Sequence, residues 1–71
     1  MIDYKFIKKG QKFKGQINNG IIEITDITIN YLGKTYITTK DLKTNYISQT
    51  AIETFIYLLF TPIDDNGLKI A

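Results

Sequence analysis

The spacing of apolar residues changes at Thr50, and this change constrains the fold more than any other feature of the chain. Before Thr50, apolar and polar residues alternate, which is the pattern of half-buried β-strands. After it, apolar residues recur three and four positions apart, as they do on one face of a helix. These residues are Ile52, Phe55, Ile56 and Leu59. The sequence therefore predicts a sheet followed by one helix.

A β-hairpin is predicted around Asn19-Gly20. This dipeptide is a strong signal for a two-residue turn, because both residues tolerate positive φ. Such a turn would align Ile17 with Ile22. The buried face of the hairpin would then consist of Phe13, Ile17, Ile22 and Ile24.

The alternation slips by one residue after Ile24, because Ile27, Ile29 and Tyr31 follow in the opposite phase. Either a β-bulge or bend at Thr25-Asp26, or a tight turn that starts a new strand, explains the slip. A bulge would put both sets of apolar residues on the core side and would curl the sheet.

The second hairpin turns at residues 32–34, and two registers fit it. A two-residue turn would align Tyr31 with Tyr36, whereas a three-residue loop would align Ile29 with Ile37. The other predicted segments are a short strand or arm at 4–7, a strand at 35–39, a polar turn at 40–45, a brief strand at 46–47, a turn at 64–67 and an edge strand at 68–70.

The predicted helix begins at Thr50 and ends near Phe60. Thr50 and Glu53 fit a capping box, in which a hydroxyl and a carboxylate each accept a backbone N–H at the helix start. Pro62 disfavours helical geometry at Thr61 and has no N–H of its own. The helix therefore has a start signal and a stop signal.

With 71 residues, the chain has room for one domain, spanning residues 1–71. The predicted class is α+β: a strongly bent antiparallel sheet of four or five strands with one C-terminal helix at about residues 50–60. A chain this short buries only about 60% of the surface that it exposes when unfolded. We therefore expect its stability to depend on packing of Ile, Tyr, Phe and Leu, helped by self-association.

The composition argues against catalysis and against metal or cofactor binding. The chain contains no His and no Cys, so neither a Ser-His or Cys-His pair nor the usual zinc ligand sets can form. Asp64, Asp65 and Asn66 superficially resemble a calcium loop, but the regular oxygen spacing and the closing Glu are missing. We expect a turn there, and a protein without enzymatic activity, cofactor or metal.

No segment predicts export or membrane insertion. Residues 1–5 lack the apolar core of a secretory signal. The most apolar run, residues 55–60, is far shorter than the ~20 residues that a spanning helix needs. The expected location is the cytoplasm, without membrane contact.

The basic N-terminal third is a candidate nucleic-acid-binding surface, because cations interleaved with aromatic rings suit single strands. The alternative is that Phe6 and Phe13 belong to the core and the lysines keep the domain soluble. All 9 positive charges are Lys, so binding would be directed mainly at phosphates and would be weakly sequence-specific. The candidate residues are Tyr4, Lys5, Lys8, Lys9, Lys12 and Lys14.

The outer side of the predicted helix is a candidate protein-binding surface. Glu53 is the only charge between Thr50 and Phe60, so the helix is apolar nearly all round. Either a curled sheet encloses it, or it offers an apolar patch to a partner or to a second copy. Its anchors would be Tyr57, Leu58 and Phe60.

The order of elements resembles that of small SH3-like barrels. The segments that carry the resemblance are Lys12–Gly15, Ile21–Ile24 and Tyr46–Phe55. The composition is also similar to that of short proteins encoded by phages and mobile elements of AT-rich Gram-positive bacteria. The latter resemblance implies an inhibitor or adaptor that acts on a host or defence protein.

The leading prediction is therefore a non-catalytic protein-binding module, in the form of a homodimer, that uses the apolar helix shoulder or an open sheet edge. The alternative is a weakly sequence-specific nucleic-acid-binding protein that uses the N-terminal lysines and aromatics.

Overall fold

A computed structural model describes residues 1–70, which form a five-stranded antiparallel sheet and one short helix. The strands are β1 (Lys12–Gly15), β2 (Ile21–Ile29), β3 (Thr35–Asp41), β4 (Ile47–Ala51) and β5 (Phe60–Ile63). A 3₁₀ helix (Tyr4–Phe6) precedes β1, and helix α1 (Ile52–Phe55) lies between β4 and β5. The strand order is β4-β3-β2-β1-β5, so the sheet is not closed and β4 and β5 are its edges.

Of the two explanations for the change of phase after Ile24, the structure shows the bulge. Ile24 lies opposite Thr39 and Asp26 lies opposite Thr38, so the register of β2 against β3 shifts by one residue between them. The extra residue lets Ile24 and Ile27 both face the core, Ile24 being fully buried and Ile27 partly. Ile29 and Tyr31 were expected to continue this face but are exposed, because β2 extends past the core and Tyr31 lies in the loop after it.

The first hairpin forms, but its predicted register was wrong. Ile22 lies opposite Phe13 and not opposite Ile17. Because the shift covers an even number of residues, Phe13, Ile22 and Ile24 keep the same face of the sheet. Ile17, which was expected to be buried, lies in the loop and is 81% exposed.

A longer loop than the expected two-residue turn causes this shift. The Gly15 N–H donates to the Gly20 carbonyl (2.8 Å), so residues 16–19 form the loop. A two-residue type I′ turn needs positive φ at both Asn19 and Gly20, and of these two only Asn19 has it (57°). The Asn18 side chain stabilises the loop by accepting the Gly20 N–H at 3.0 Å.

The second hairpin adopts neither of the two registers considered. Ile37 lies opposite Ile27, and the Asn30 N–H donates to the Lys34 carbonyl (2.9 Å), so residues 31–33 form the loop. The Asn30 side-chain oxygen accepts the N–H groups of Leu32 (2.9 Å) and Lys34 (3.0 Å). These hydrogen bonds fix a three-residue loop one position earlier than the one considered, and Gly33 within it has φ +80°.

The prediction of a helix from Thr50 to Phe60 was wrong in its length. Thr50 lies in β4, and the N-cap of α1 is Ala51, which makes no side-chain cap hydrogen bond, so the capping box does not form. After Phe55 the chain turns and Phe60 begins β5, which pairs with β1. β5 pairs with the side of β1 that β2 does not cover. This tertiary pairing overrides the local helical periodicity, because helix propensity is a weak preference.

The N-terminal segment was expected as a strand or arm, but Tyr4–Phe6 is a 3₁₀ helix. The Asp3 carboxylate caps it by accepting the Lys5 N–H at 3.0 Å. Ile2 is buried, and its N–H donates to the Ile56 carbonyl at 2.7 Å. This segment therefore covers the core beside α1.

The core lies between the inner face of the sheet, α1 and the N-terminal segment. Its largest fully buried side chains are Phe13, Ile24, Ile37 and Phe55. The rings of Phe13 and Phe55 pack edge to face with centroids 5.6 Å apart, a favourable aromatic geometry. Among residues 1–70, no helix is long and apolar enough to cross a membrane.

Candidate protein-binding surface

Strand β4 is an outermost strand, and within residues 1–70 it pairs with β3 alone. The Asp41 N–H donates to the Tyr46 carbonyl (2.8 Å), and hydrogen-bonded pairs alternate along an antiparallel ladder. In this register Ile47 and Gln49 direct their N–H and C=O groups away from β3, and Ala51 directs its N–H the same way. The outer side of β4 is therefore a row of backbone donors and acceptors.

The side chains of β4 do nothing to protect this edge. Natural edge strands usually carry Lys, Pro or a bulge that discourages pairing with another chain. The sequence of β4 is Ile-Ser-Gln-Thr-Ala, without charge or proline, and its register against β3 is continuous. Ile47 is 63% exposed and Gln49 is also exposed. Chemically, β4 is an edge at which a further strand can be added.

An open cleft of about 240 Å³ lies on the core side of this edge. The β4 side contributes Tyr46, Ser48 and Thr50, and the segment after α1 contributes Leu58 and Phe60. Tyr46 is 70% exposed and Leu58 is 37% exposed, whereas Phe60 is half-buried. The cleft thus presents aromatic and aliphatic surface directly beside the free edge.

The structure brings together two of the three anchors predicted from the sequence. Leu58 and Phe60 both line the cleft, although Phe60 does so from β5 and not from a helix. Tyr57 is exposed but does not line the cleft. Sequence reasoning missed Tyr46, which was assigned to a brief returning strand. The available signal was that Tyr46 is the aromatic residue in an uncharged run from Thr44 to Ile52.

Asp41 gives the cleft a negative charge. Its carboxylate accepts the backbone N–H groups of Thr44 (3.0 Å) and Lys43 (2.8 Å). These two hydrogen bonds hold the pKa of Asp41 below its usual range, and the one from Thr44 has the larger effect. Asp41 lines the cleft and is ionised at neutral pH.

Among the aromatic residues interleaved with the predicted nucleic-acid-binding lysines, only Tyr4 is exposed. Phe6 and Phe13 are buried, as the alternative reading of this region predicted. The Lys5 ammonium lies 5.2 Å from the centroid of the Phe6 ring, and Tyr4 is exposed. The nucleic-acid hypothesis stays a prediction, without the row of exposed rings that single strands need.

The remaining predicted lysines differ in their surroundings. Lys8, Lys9 and Lys14 are exposed. Lys12 forms an ion pair with Asp65, with Nζ 2.9 Å from Oδ1. This pair raises the pKa of Lys12 and lowers that of Asp65. One of the predicted phosphate-binding cations, Lys12, therefore already has a carboxylate partner.

Neither a metal-binding cluster nor a relative identifies the function. Within residues 1–70 no group of three or more acidic side chains comes together in a way that could hold a metal ion. Protein-family models, curated proteins and solved structures gave no significant match to the chain. The candidate surface is therefore defined by exposure, hydrogen bonding and chemistry alone.

Proposed function

We propose that this protein is a small non-catalytic protein-binding module, which holds an apolar segment of a partner protein in the cleft beside β4. The observation that carries the proposal is the clustering of Tyr46, Leu58 and Phe60 around an open cleft of about 240 Å³. Sites for drug-sized ligands are usually enclosed and measure about 300–1,000 Å³. A smaller, open cleft with aromatic walls suits the side chains of another protein, because aromatic residues dominate binding hot spots.

The negative charge of the cleft indicates which kind of partner segment it can bind. Asp41 lines the cleft and is negatively charged at neutral pH, as an Asp ordinarily is. A partner segment with an apolar anchor and a neighbouring Lys or Arg therefore matches the cleft better than an acidic segment.

The proposal includes a fold relationship to SH3-like barrels. Support comes from the four-strand meander, from the bulge that bends β2 at Thr25, and from the return of β5 to the side of β1. A further part of the proposal is that the partner is a host or defence protein, as the resemblance to phage and mobile-element proteins implies.

Selection of random linear peptides displayed on phage tests this function. We expect enriched peptides that contain apolar and basic residues and bind the purified protein, as measured by fluorescence polarisation. Leu58→Glu should weaken their binding about tenfold or more, because it places a charge in the apolar cleft.

Tyr31→Ala is the control, since Tyr31 is an exposed side chain in the loop between β2 and β3 and does not line the cleft. Its binding should equal that of the unmodified protein, and circular dichroism should show an intact fold for both variants. The proposal is wrong if no peptide is enriched, or if the enriched peptides bind Leu58→Glu as tightly as the unmodified protein.

A further inference from the structure

The other sheet edge, β5, has most of its outward backbone groups occupied or removed. The Phe60 N–H donates to the Leu58 carbonyl (2.9 Å), and Pro62 has no N–H to offer. The Pro62 carbonyl accepts the Ile70 N–H (3.1 Å), and the Asp64 N–H donates to the Leu68 carbonyl (2.9 Å). A further strand would find almost nothing to pair with at β5.

The end of β2 beyond the bulge, where β1 no longer accompanies it, is blocked in another way. The Ile27 N–H, which faces outward, donates to the side chain of Asp26 at 2.9 Å. The bulge itself also disrupts regular pairing. Among residues 1–70, β4 thus presents the longest regular row of outward ladder groups without a covering segment or a blocking side chain.

We propose that β4 pairs with β4 of a second copy of this chain, antiparallel and centred on Gln49, which joins two sheets into one. Gln49 then exchanges both backbone hydrogen bonds with its own copy. The Ala51 N–H donates to the carbonyl of Ile47 in the second copy, and the two-fold axis repeats this contact.

The side chains of β4 complement one another in this register. Ile47, the largest, lies opposite the small Ala51 of the second copy, and Ser48 lies opposite Thr50. Cross-strand pairs of hydroxyl residues are favourable, and like charges, which would repel, do not occur in β4. This match of the strand with itself favours a second copy over an unrelated strand as the occupant.

The dimer goes beyond the proposed function, because it makes the module bivalent. Two-fold pairing of antiparallel strands keeps equivalent faces on the same side of the joined sheet. Ser48 and Thr50 line the cleft of each copy, so both clefts open on one face. A partner with two anchor segments would then bind with avidity.

Sedimentation velocity over a range of protein concentrations tests the dimer. A pair of five-residue strands is smaller than the about 800 Å² per partner of standard interfaces, so we expect reversible association on the order of micromolar. Gln49→Lys should abolish it, because it places two ammonium groups directly opposite each other across the two-fold axis.

The decisive experiment places opposite charges at position 49 in two variants and then mixes them. Gln49→Lys and Gln49→Glu should each be monomeric, and an equimolar mixture of the two should associate again. Thr28→Lys is the control, because Thr28 is exposed on a strand outside the proposed interface, and it should dimerise like the unmodified protein.

A monomer at every concentration overturns the proposal, and so does association that Gln49→Lys leaves unchanged. Failure of the dimer is distinguishable from failure of the proposed function, because the selected peptides bind the cleft of a single copy. Monomeric Gln49→Lys should still bind those peptides if the cleft is the partner site.

Discussion

The two edges of the sheet differ in how their backbone groups are satisfied. At β5, the segment that follows the strand folds back so that Leu68 and Ile70 occupy the outward groups, and Pro62 removes a donor. At β4, Ile47 and Gln49 direct donors and acceptors into solvent. Exposed edges promote aggregation unless they are protected or used. Because β5 is covered and β4 is bare, the difference supports β4 as the strand that pairs with a second copy.

The largest effect is expected at the side chain that holds the β4 side to the core. Phe55 is 1% exposed, packs against Phe13, and belongs to α1, which contacts β3 and β4. Phe55→Ala should lower the free energy of unfolding by about 3–5 kcal/mol through lost burial and a cavity. Urea denaturation measures this change.

Tyr57→Ala serves as the control for that variant, because it removes an aromatic side chain that is 69% exposed, two residues away. A change within about 0.5 kcal/mol is expected for it. Equal effects of the two substitutions would show that α1 does not anchor the β4 side.

A smaller effect is expected at the residue that fastens β5 to β1. Gln11 is buried, and its Nε2 donates to the carbonyls of Lys12 (2.8 Å) and Ile63 (3.0 Å). Gln11→Ala leaves the buried Ile63 carbonyl without this donor, which should cost about 1–3 kcal/mol. Gln16→Ala, which loses an exposed hydrogen bond to Thr61, should cost less in the same urea titration.

The turn that lets the chain fold back over β5 should contribute less again. Gly67 has φ +81°, a conformation that L side chains rarely adopt, so Gly67→Ala should destabilise the protein by about 1 kcal/mol. Differential scanning calorimetry should show a lower Tm. Asn66→Ala, beside it on the surface, should leave the Tm nearly unchanged, and a Tm as low as that of Gly67→Ala would contradict this explanation.

The smallest effect concerns the ion pair between Lys12 and Asp65. The pair lowers the pKa of Asp65, so its contribution to stability is present above the usual Asp range of about pH 3.9 and is lost as the pH falls below it. The pKa of Asp41 is also lowered, and its contribution is lost in the same direction.

Thermal melts from about pH 5 down to about pH 3 should therefore show a falling Tm. Asp65→Asn should make the fall shallower without removing it, because Asp41 still titrates. Added salt should reduce the difference between Asp65→Asn and the unmodified protein at neutral pH, since the pair is exposed. An Asp65→Asn profile parallel to the unmodified one would contradict the assignment.

Features that depend on local chemistry were predictable from the sequence. The change of apolar phase after Ile24 predicted either a bulge or a tight turn, and the bulge forms. The turn at 64–67 follows from its Asp, Asn and Gly residues. The turn is built as its composition indicates, since the Asp64 carboxylate accepts the N–H groups of Asn66 and Leu68, both at 2.9 Å.

Features that depend on distant contacts were not predictable. The helical spacing of Ile52, Phe55 and Ile56 does correspond to a helical turn. The helix does not continue to Phe60, because Phe60 pairs with β1 as the first residue of β5. The cleft was missed in part for the same reason. Tyr46 and Phe60 are far apart in the sequence and line one cleft only because the sheet bends.

The position of β1 between β2 and β5 has a consequence for the order of synthesis. A ribosome completes the β1–β4 meander before it has made the strand that flanks β1 on its other side. In the nascent chain, Phe13 and Lys14 therefore lack their β5 partners, which lie some fifty positions later in the sequence. Pairings at such sequence separation form slowly, so folding should finish only after β5 has left the exit tunnel.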